Sequence, residues 1–261
     1  MTARDALEEA ERRLAAAGVE TPRVDAEWLV AHLLGTSRSG LATRLDDDVR
    51  GLEPLLVRRE AREPLAYVLG EWGFRRLTLK TDSRALVPRP ETETLVARAL
   101  ELAARIEQPR ILDVGVGSGA IALALKDERP DAQVAGVDVS LEALSLAREN
   151  AELLRLEVEL REGDGADVAA EGWDLVVANP PYVEGDEELQ PELQFEPDVA
   201  LIGSGEHERL ARAADTRFVV LETGDDQALE VAAMLERLGY VDVAVTADLT
   251  GRDRVVEGRR P

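Results

Sequence analysis

Between residues 3 and 61, apolar side chains recur every three or four positions, as in Leu7, Ala10 and Leu14, and then Val24, Trp28, Leu29, Ala31 and Leu33. That spacing puts them on one stripe of a helix and predicts a small helical unit. Pro22 stands where a second helix would start and Gly35 where it would stop. Residues 71–88 change to short alternation, Phe74, Leu77 and Leu79, with Gly73 and Thr81-Asp82 as turn signals. A β-hairpin is expected there, with the domain boundary near 65–85.

From Pro90 onward, helix-like and strand-like pieces alternate. The pattern predicts a helix over 91–106, strand 110–114, helix 118–127, strand 133–137, helix 141–151, strands 156–160, 174–178 and 217–222, helix 225–238, and strands 240–246 and 253–257. Such alternation argues for a doubly wound, mostly parallel α/β sheet. The last two strands are separated only by a loop, so they should pair as an antiparallel hairpin. The expected partition is 1–64 helical, 65–88 hairpin linker and 89–261 α/β domain.

Composition then removes several chemistries. The chain has 261 residues and no cysteine, which excludes disulfides, thiolate metal sites and a cysteine nucleophile. His32 and His207 are the only imidazoles, so a multi-histidine metal site or a Ser-His-Asp triad is not expected. No metal is predicted. No apolar run approaches the roughly 18 residues that span a bilayer, and the polar N-terminus does not resemble a signal peptide. A cytoplasmic location with no membrane partner is expected.

Net charge is -22, yet residues 1–90 hold 15 acids and 15 bases, leaving 38 acids and 16 bases for residues 91–261. Between Arg161 and Arg209 there is no Lys or Arg. Such a surface repels a phosphate backbone, so no direct nucleic-acid partner is expected.

Two motifs carry chemistry. Ile111-Leu112-Asp113-Val114 runs into Gly115-Val116-Gly117-Ser118-Gly119, a strand entering a glycine turn that opens a helix. Glycine lets backbone pass close to a ligand. The next strand ends in Asp138, where a carboxylate can accept both hydroxyls of a ribose, so a nucleoside cofactor is implied. The glycine spacing alone would also suit a dinucleotide. Asp113, expected beside the cofactor pocket, suits a cationic sulfonium better than a pyrophosphate.

The strand Asp174–Ala178 delivers Asn179-Pro180-Pro181-Tyr182 to its C-terminal end, the ligand side of an α/β sheet. Consecutive prolines remove two donors and leave carbonyls free to accept. An amide or aromatic amine is a poor nucleophile because its lone pair is delocalised. Holding its N–H groups on the Asn179 oxygen and the Pro180 carbonyl favours attack through nitrogen, and Tyr182 can pack on the planar group.

Together with Glu63-Pro64-Leu65-Ala66-Tyr67-Val68-Leu69-Gly70, Val87-Pro88-Arg89-Pro90-Glu91-Thr92-Glu93, Phe195-Glu196-Pro197 and Asp248-Leu249-Thr250-Gly251-Arg252-Asp253-Arg254, these motifs resemble the protein-(glutamine-N5) methyltransferases of the HemK/PrmC type, collinearly from about residue 60 to 258. The resemblance implies a seven-stranded, Rossmann-like S-adenosylmethionine-dependent methyltransferase sheet behind a small release-factor-binding helical domain. It implies methyl transfer to the glutamine of the Gly-Gly-Gln motif in class 1 peptide chain release factors, with S-adenosylhomocysteine as product. A monomer is expected. It places Gly115, Val116, Gly117, Ser118 and Gly119 along the methionine part of the cofactor, Asp138 on the ribose, and Asp164 and Gly165 near the adenine. Asn179 stands between cofactor and substrate. Asn179 and Pro180 are the catalytic positions, and Pro181, Tyr182, Arg89, Pro90 and Glu91 complete the amide pocket.

Two alternatives stay open: a nucleic-acid amino-group methyltransferase sharing the Asn-Pro-Pro-Tyr motif, and a non-catalytic release-factor-binding module. Two departures from the family stand out. Gly165 replaces the bulky aromatic often found after the acid, and the segment between Gly203 and Phe218 is short, so the helix within it must be abbreviated.

Overall fold

A computed structural model describes residues 1–181, 190–201, 203 and 205–261. The described chain forms two compact units. The first contains Met1–Glu71 and the described part of Leu189–Phe195, including a 3-10 turn at Pro191–Phe195; the second contains the rest of the described chain from Trp72 onward.

The first unit is built from α1 (Ala3–Ala16), α2 (Pro22–Leu34), α3 (Leu52–Glu60) and the short α4 (Leu65–Leu69). α1 starts at a reciprocal cap, in which Thr2 Oγ1 accepts from the Asp5 N–H and Asp5 accepts from the Thr2 N–H. It buries Ala3, Ala6, Leu7, Ala10 and Leu14, the expected stripe. α2 begins with Pro22 and ends on Gly35 in the left-handed region at φ 59°, as its punctuation predicts.

The buried stripe of α2 is different from the one read from the sequence. It contains Asp25, Ala26, Leu29, Val30 and Ala31, while Val24 is exposed. Asp25 turns inward because Arg59 Nε donates to its carboxylate at 2.7 Å, with both side chains buried. Arg59 and Arg62 also hold Glu192 at 2.9 and 2.7 Å. A charge is tolerated in such a place only when paired.

The second unit begins with the predicted hairpin, β1 (Glu71–Phe74) and β2 (Leu77–Lys80). Alternation fixes its buried face: Phe74, Leu77 and Leu79 point into the same core as Leu95 and Val96. There follow α5 (Thr92–Ala103), β3 (Arg110–Val114), α6 (Ala120–Glu128), β4 (Gln133–Asp138), α7 (Leu141–Leu154), β5 (Glu159–Glu162), α8 (Gly165–Ala169) and β6 (Trp173–Ala178). The chain continues with α9 (Asp198–Leu201), α10 (Glu206–Ala213), β7 (Thr216–Glu222), α11 (Ala228–Arg237), β8 (Val241–Ala247) and β9 (Asp253–Arg259).

The seven large-sheet strands lie in the order β5-β4-β3-β6-β7-β9-β8. β9 runs antiparallel to both β7 and β8, so the final hairpin forms as expected on an otherwise parallel sheet. Both faces are covered, which is why the central strands read as continuous apolar runs. Ile111, Leu175, Val177 and Val220 face one core with α5 and α6. Leu112, Val176, Val219 and Leu221 face the other with α10 and α11.

β5 lies later than the expected 156–160. Arg155 at φ 56° ends α7, Leu156 and Val158 pack onto the core before any pairing begins, and Glu159–Glu162 then pairs with Ala135–Asp138. A half-exposed strand of sequence Glu-Leu-Arg-Glu has no apolar run to advertise it. The helix within the short 203–218 segment is indeed abbreviated: α10 has 8 residues and buries Leu210 and Ala211.

Candidate active site

The C-terminal ends of β3, β4 and β6 converge on one cavity of about 340 Å³, the size of a small-molecule site. Its floor is the turn from Gly115 to Ser118. Gly115 and Gly117 have φ of 75° and 54°, a backbone region that disfavours side chains, so the turn presents bare main chain to the cavity. The N–H groups of Gly115 and Val116 both donate to the Val137 carbonyl, at 2.9 and 3.0 Å. Gly136 makes this close seat possible: a Cβ there would stand 2.5 Å from Val116 Cγ2.

Asp138 ends β4 at the cavity wall. Its carboxylate accepts from the Gly117 and Ser140 N–H groups, each at 2.9 Å. The turn and the acid are therefore fixed to one another before any ligand arrives. Asp113 does not take the place expected for it beside the cavity. Its side chain is fully buried beneath the turn, where Oδ2 accepts from the Ala122 N–H at 3.0 Å and Oδ1 finds no partner among the described residues. Burial pushes its carboxyl up to about 7.

Asn179 and Pro180 line the opposite wall with Pro181. Asn179 Nδ2 donates to Thr92 Oγ1 at 3.3 Å, which leaves Oδ1 available as an acceptor. Gly203 closes on the proline pair so tightly that a Cβ there would meet Pro181 Cγ at 2.9 Å. Tyr182 lies outside the described residues.

Three arginines reach the cavity, and acids pair all of them. Arg84 is held by Asp82 and Glu149, Arg89 by Glu196 and Arg209 by Asp164 and Glu206. Glu196 is the buried member of its pair; Arg89 and the Val87 N–H reach it at 2.6 and 3.2 Å. Arg89 thus pairs with Glu196, not with Glu91, its neighbour in sequence. Among the described residues, no group of three or more potential ligands could hold a metal ion.

Residues 5–70 match the family described as the PrmC N-terminal domain, and residues 92–195 match the Methyltransferase small domain. The chain is 42% identical to a release factor glutamine methyltransferase of Deinococcus radiodurans, over 100% of this chain and 99% of that one. It is 39% identical to one from Vibrio cholerae, over 99% and 97%. The chain belongs to the release factor glutamine methyltransferase family.

A T. thermophilus 16S rRNA methyltransferase solved with AdoMet and guanosine is similar in fold, with a TM-score of 0.53 at 19% identity over 73% of this chain and 50% of that one. At that identity only the methyltransferase fold is shared.

Of the positions carried over from the family, Gly115, Val116, Gly117, Ser118, Asp138, Gly165, Asn179, Pro180, Pro181 and Arg89 border the cavity. Gly119, Pro90, Glu91 and Asp164 do not. Gly119 opens α6, Glu91 precedes α5, and Asp164 caps α8 through the Ala166 N–H at 2.8 Å while Arg209 holds its carboxylate. At Gly165 a Cβ would stand 2.2 Å from Val114 Cγ1, so this backbone leaves no room for the family's aromatic. Val139, 60% exposed, borders the cavity instead.

Sequence reasoning missed Thr92, Glu196, Val139 and Arg209, although Thr92 and Glu196 stand within the 87–93 and 195–197 motifs it singled out.

Proposed function

We propose that this chain transfers a methyl group from S-adenosylmethionine to the side-chain amide nitrogen of the glutamine in the Gly-Gly-Gln motif of class 1 peptide chain release factors. The observation that carries the reading is the orientation of Asn179, whose donor end is engaged by Thr92 and whose oxygen remains for a substrate N–H. The family's full-length similarity supports the substrate class.

The cavity fits the cofactor by its own chemistry. A turn bare of side chains at Gly115 and Gly117 accepts the methionine part, Asp138 offers lone pairs for ribose hydroxyls, and Gly163 and Val139 border the space left for the base. When bound, the cofactor supplies an electrophilic methyl carbon on a sulfonium. The rest belongs to this chain. Asn179 Oδ1 and the Pro180 carbonyl accept the two amide N–H groups of the glutamine and hold its nitrogen in line with that methyl. The cofactor would give up that methyl and remain as a neutral thioether, and the amide nitrogen, once methylated, would lose its proton to solvent; the chain's own part is to hold that nitrogen by its two N–H groups. Holding reactants in this way can supply about 7 to 11 kcal/mol of rate enhancement.

In this reading residues 1–64 bind the release factor, 65–88 connect, and 89–261 carry the chemistry, with Arg89 bordering the amide pocket, Pro90 and Glu91 supporting it from the start of α5, Tyr182 packing on the amide, and Gly119 and Asp164 supporting the cofactor's surroundings. The protein acts in the cytoplasm, as a monomer, without metal and without contacting nucleic acid. Among the described residues no helix is long and apolar enough to cross a membrane.

The test is incubation with labelled S-adenosylmethionine and an unmethylated release factor, beside the same factor with Gln→Ala in its Gly-Gly-Gln loop. Label on that glutamine alone, located by mass spectrometry, is the expected result. Label elsewhere, or none despite cofactor binding, would refute the assignment.

A further inference from the structure

The motif 248–254 has no role in the reaction so far. It forms the turn between β8 and β9. Asp248 Oδ1 accepts from the Thr250 N–H, the Thr250 hydroxyl and the Arg252 N–H at 2.8, 2.6 and 3.2 Å, and Gly251 takes φ 85° to close the turn. The turn after β7 is tied to it. Arg254 Nη1 donates to the Thr223 carbonyl at 2.9 Å, and Asp225 accepts from Arg252 and Arg254 at 2.8 and 2.5 Å. Asp248, Arg254 and Thr223 are buried. What this framework holds out is apolar. Leu249 is fully exposed, and Leu229, in the first helical turn of α11 into which the β7 turn leads, is 73% exposed. A single exposed leucine is ordinary, but the bonds of Asp248, Gly251 and Arg254 close this turn without burying Leu249 at all.

We infer that Leu249 and Leu229 are docking contacts for the release factor itself, meeting an apolar recess with a basic border beside its glutamine loop. Position is the first ground. β9 runs antiparallel to β7, so the turn before it stands at the same end of the sheet as the C-terminal ends of β3, β4 and β6, where the cavity lies. Ala178 pairs with Leu221 and Leu221 with Val256, so the start of β9 is two strands, about 10 Å, from the strand that delivers Asn179. A glutamine carried on a folded protein brings the surface around it against whatever borders the cavity. Charge is the second ground. Asp226, Glu230 and Asp253 are exposed on or next to these two turns, and residues 91–261 hold 38 acids against 16 bases. Such a border attracts a basic partner and repels a second copy of this chain. Rigidity is the third. Side chains presented by a fixed turn lose little freedom on docking, so more of their burial appears as affinity. The identity of the partner rests on the glutamine reading; neither leucine touches the reacting atoms.

The test is binding and kinetics of the full chain with an unmethylated release factor, for Leu249→Ser, Leu249→Met and Glu230→Lys. In Leu249→Ser, Kd and KM for the factor should rise about tenfold, the loss expected when one leucine leaves an apolar recess. Turnover at saturating factor and cofactor Kd should stay within about twofold of wild type. Leu249→Met, apolar and similar in volume, should restore most of the affinity. Glu230→Lys should raise Kd severalfold by reversing one charge of the border. Unchanged Kd in Leu249→Ser would overturn the docking surface, as would an equal loss of cofactor affinity, which would place the defect in the fold. Unchanged or tighter binding by Glu230→Lys would overturn the basic partner surface. A wild-type chain that sediments as a dimer and becomes a monomer in Leu249→Ser would also overturn the inference, assigning the turn to a second copy. If the factor binds but its glutamine is not methylated, the proposed function falls while the difference in Kd still decides the docking surface. A wild-type chain that binds no release factor removes both.

Discussion

Arg89 Nη2 donates to Glu196 Oε1 at 2.6 Å, joining two residues 107 positions apart, and the Glu196 side chain is buried while Arg89 remains partly open to the cavity. Burial pushes the Glu196 carboxyl up, and Arg89 with the Val87 N–H opposes that rise. Arg89→Ala should therefore cost about 2 kcal/mol of stability by leaving a charge-assisted bond unmade. Adding Glu196→Gln should recover part of the loss. Urea denaturation of both variants checks this, and strictly additive losses would contradict the pairing.

Asn179→Ala should lower turnover by roughly 10²- to 10³-fold, comparable to losing one oxyanion-hole donor. Cofactor affinity should change far less, because the glycine turn and Asp138 remain. Single-turnover kinetics with calorimetry of cofactor binding separates the two effects. Turnover equal to wild type would remove Asn179 from the mechanism.

The buried Asp113 makes stability depend on pH. Its folded carboxyl titrates near 7, above the ordinary value of about 3.9, so the folded state holds its proton more tightly than the unfolded chain does. That contribution is complete below about pH 4 and is lost as pH rises towards 7. Asp113→Asn should flatten this part of the stability curve, a change on the order of a few kcal/mol across the window. Thermal unfolding at pH 5 and pH 7 checks it; an identical slope in the variant would count against the burial argument.

In the first unit, Arg59→Ala would leave Asp25 buried without its partner. A loss of about 3 to 5 kcal/mol is expected from breaking a buried pair on one side. Replacing both residues, as Asp25→Asn with Arg59→Met, should cost less than the single change. Chemical denaturation followed by circular dichroism distinguishes the outcomes.

Much of the fold was legible because the physics behind it is local. Apolar runs at Ile111–Leu112 and Leu175–Ala178 mark strands covered on both faces, and Pro22 and Gly35 mark helix ends by their own backbone limits. The glycine turn and Asn-Pro-Pro were also readable, since missing Cβ atoms and missing N–H groups are properties of single residues. The phase of α2 was not. Asp25 reads as a surface residue until Arg59, 34 positions away, folds against it. The polar strand at Glu159–Glu162 is created by pairing with β4 and carries no pattern of its own.

For the site, the sequence alone determined which backbone could approach a nucleoside and which side chain could hold an amide. Only the tertiary structure decided how those groups are aimed. It turned Asp113 beneath the cavity, filled the side-chain space at Gly165 with Val114, took Asp164 into a cap with Arg209, and set Thr92 behind Asn179. The physical reason is the same in each case. What an atom can do is a property of its residue, but whether it faces a ligand or a neighbour depends on partners that only folding brings within hydrogen-bond distance.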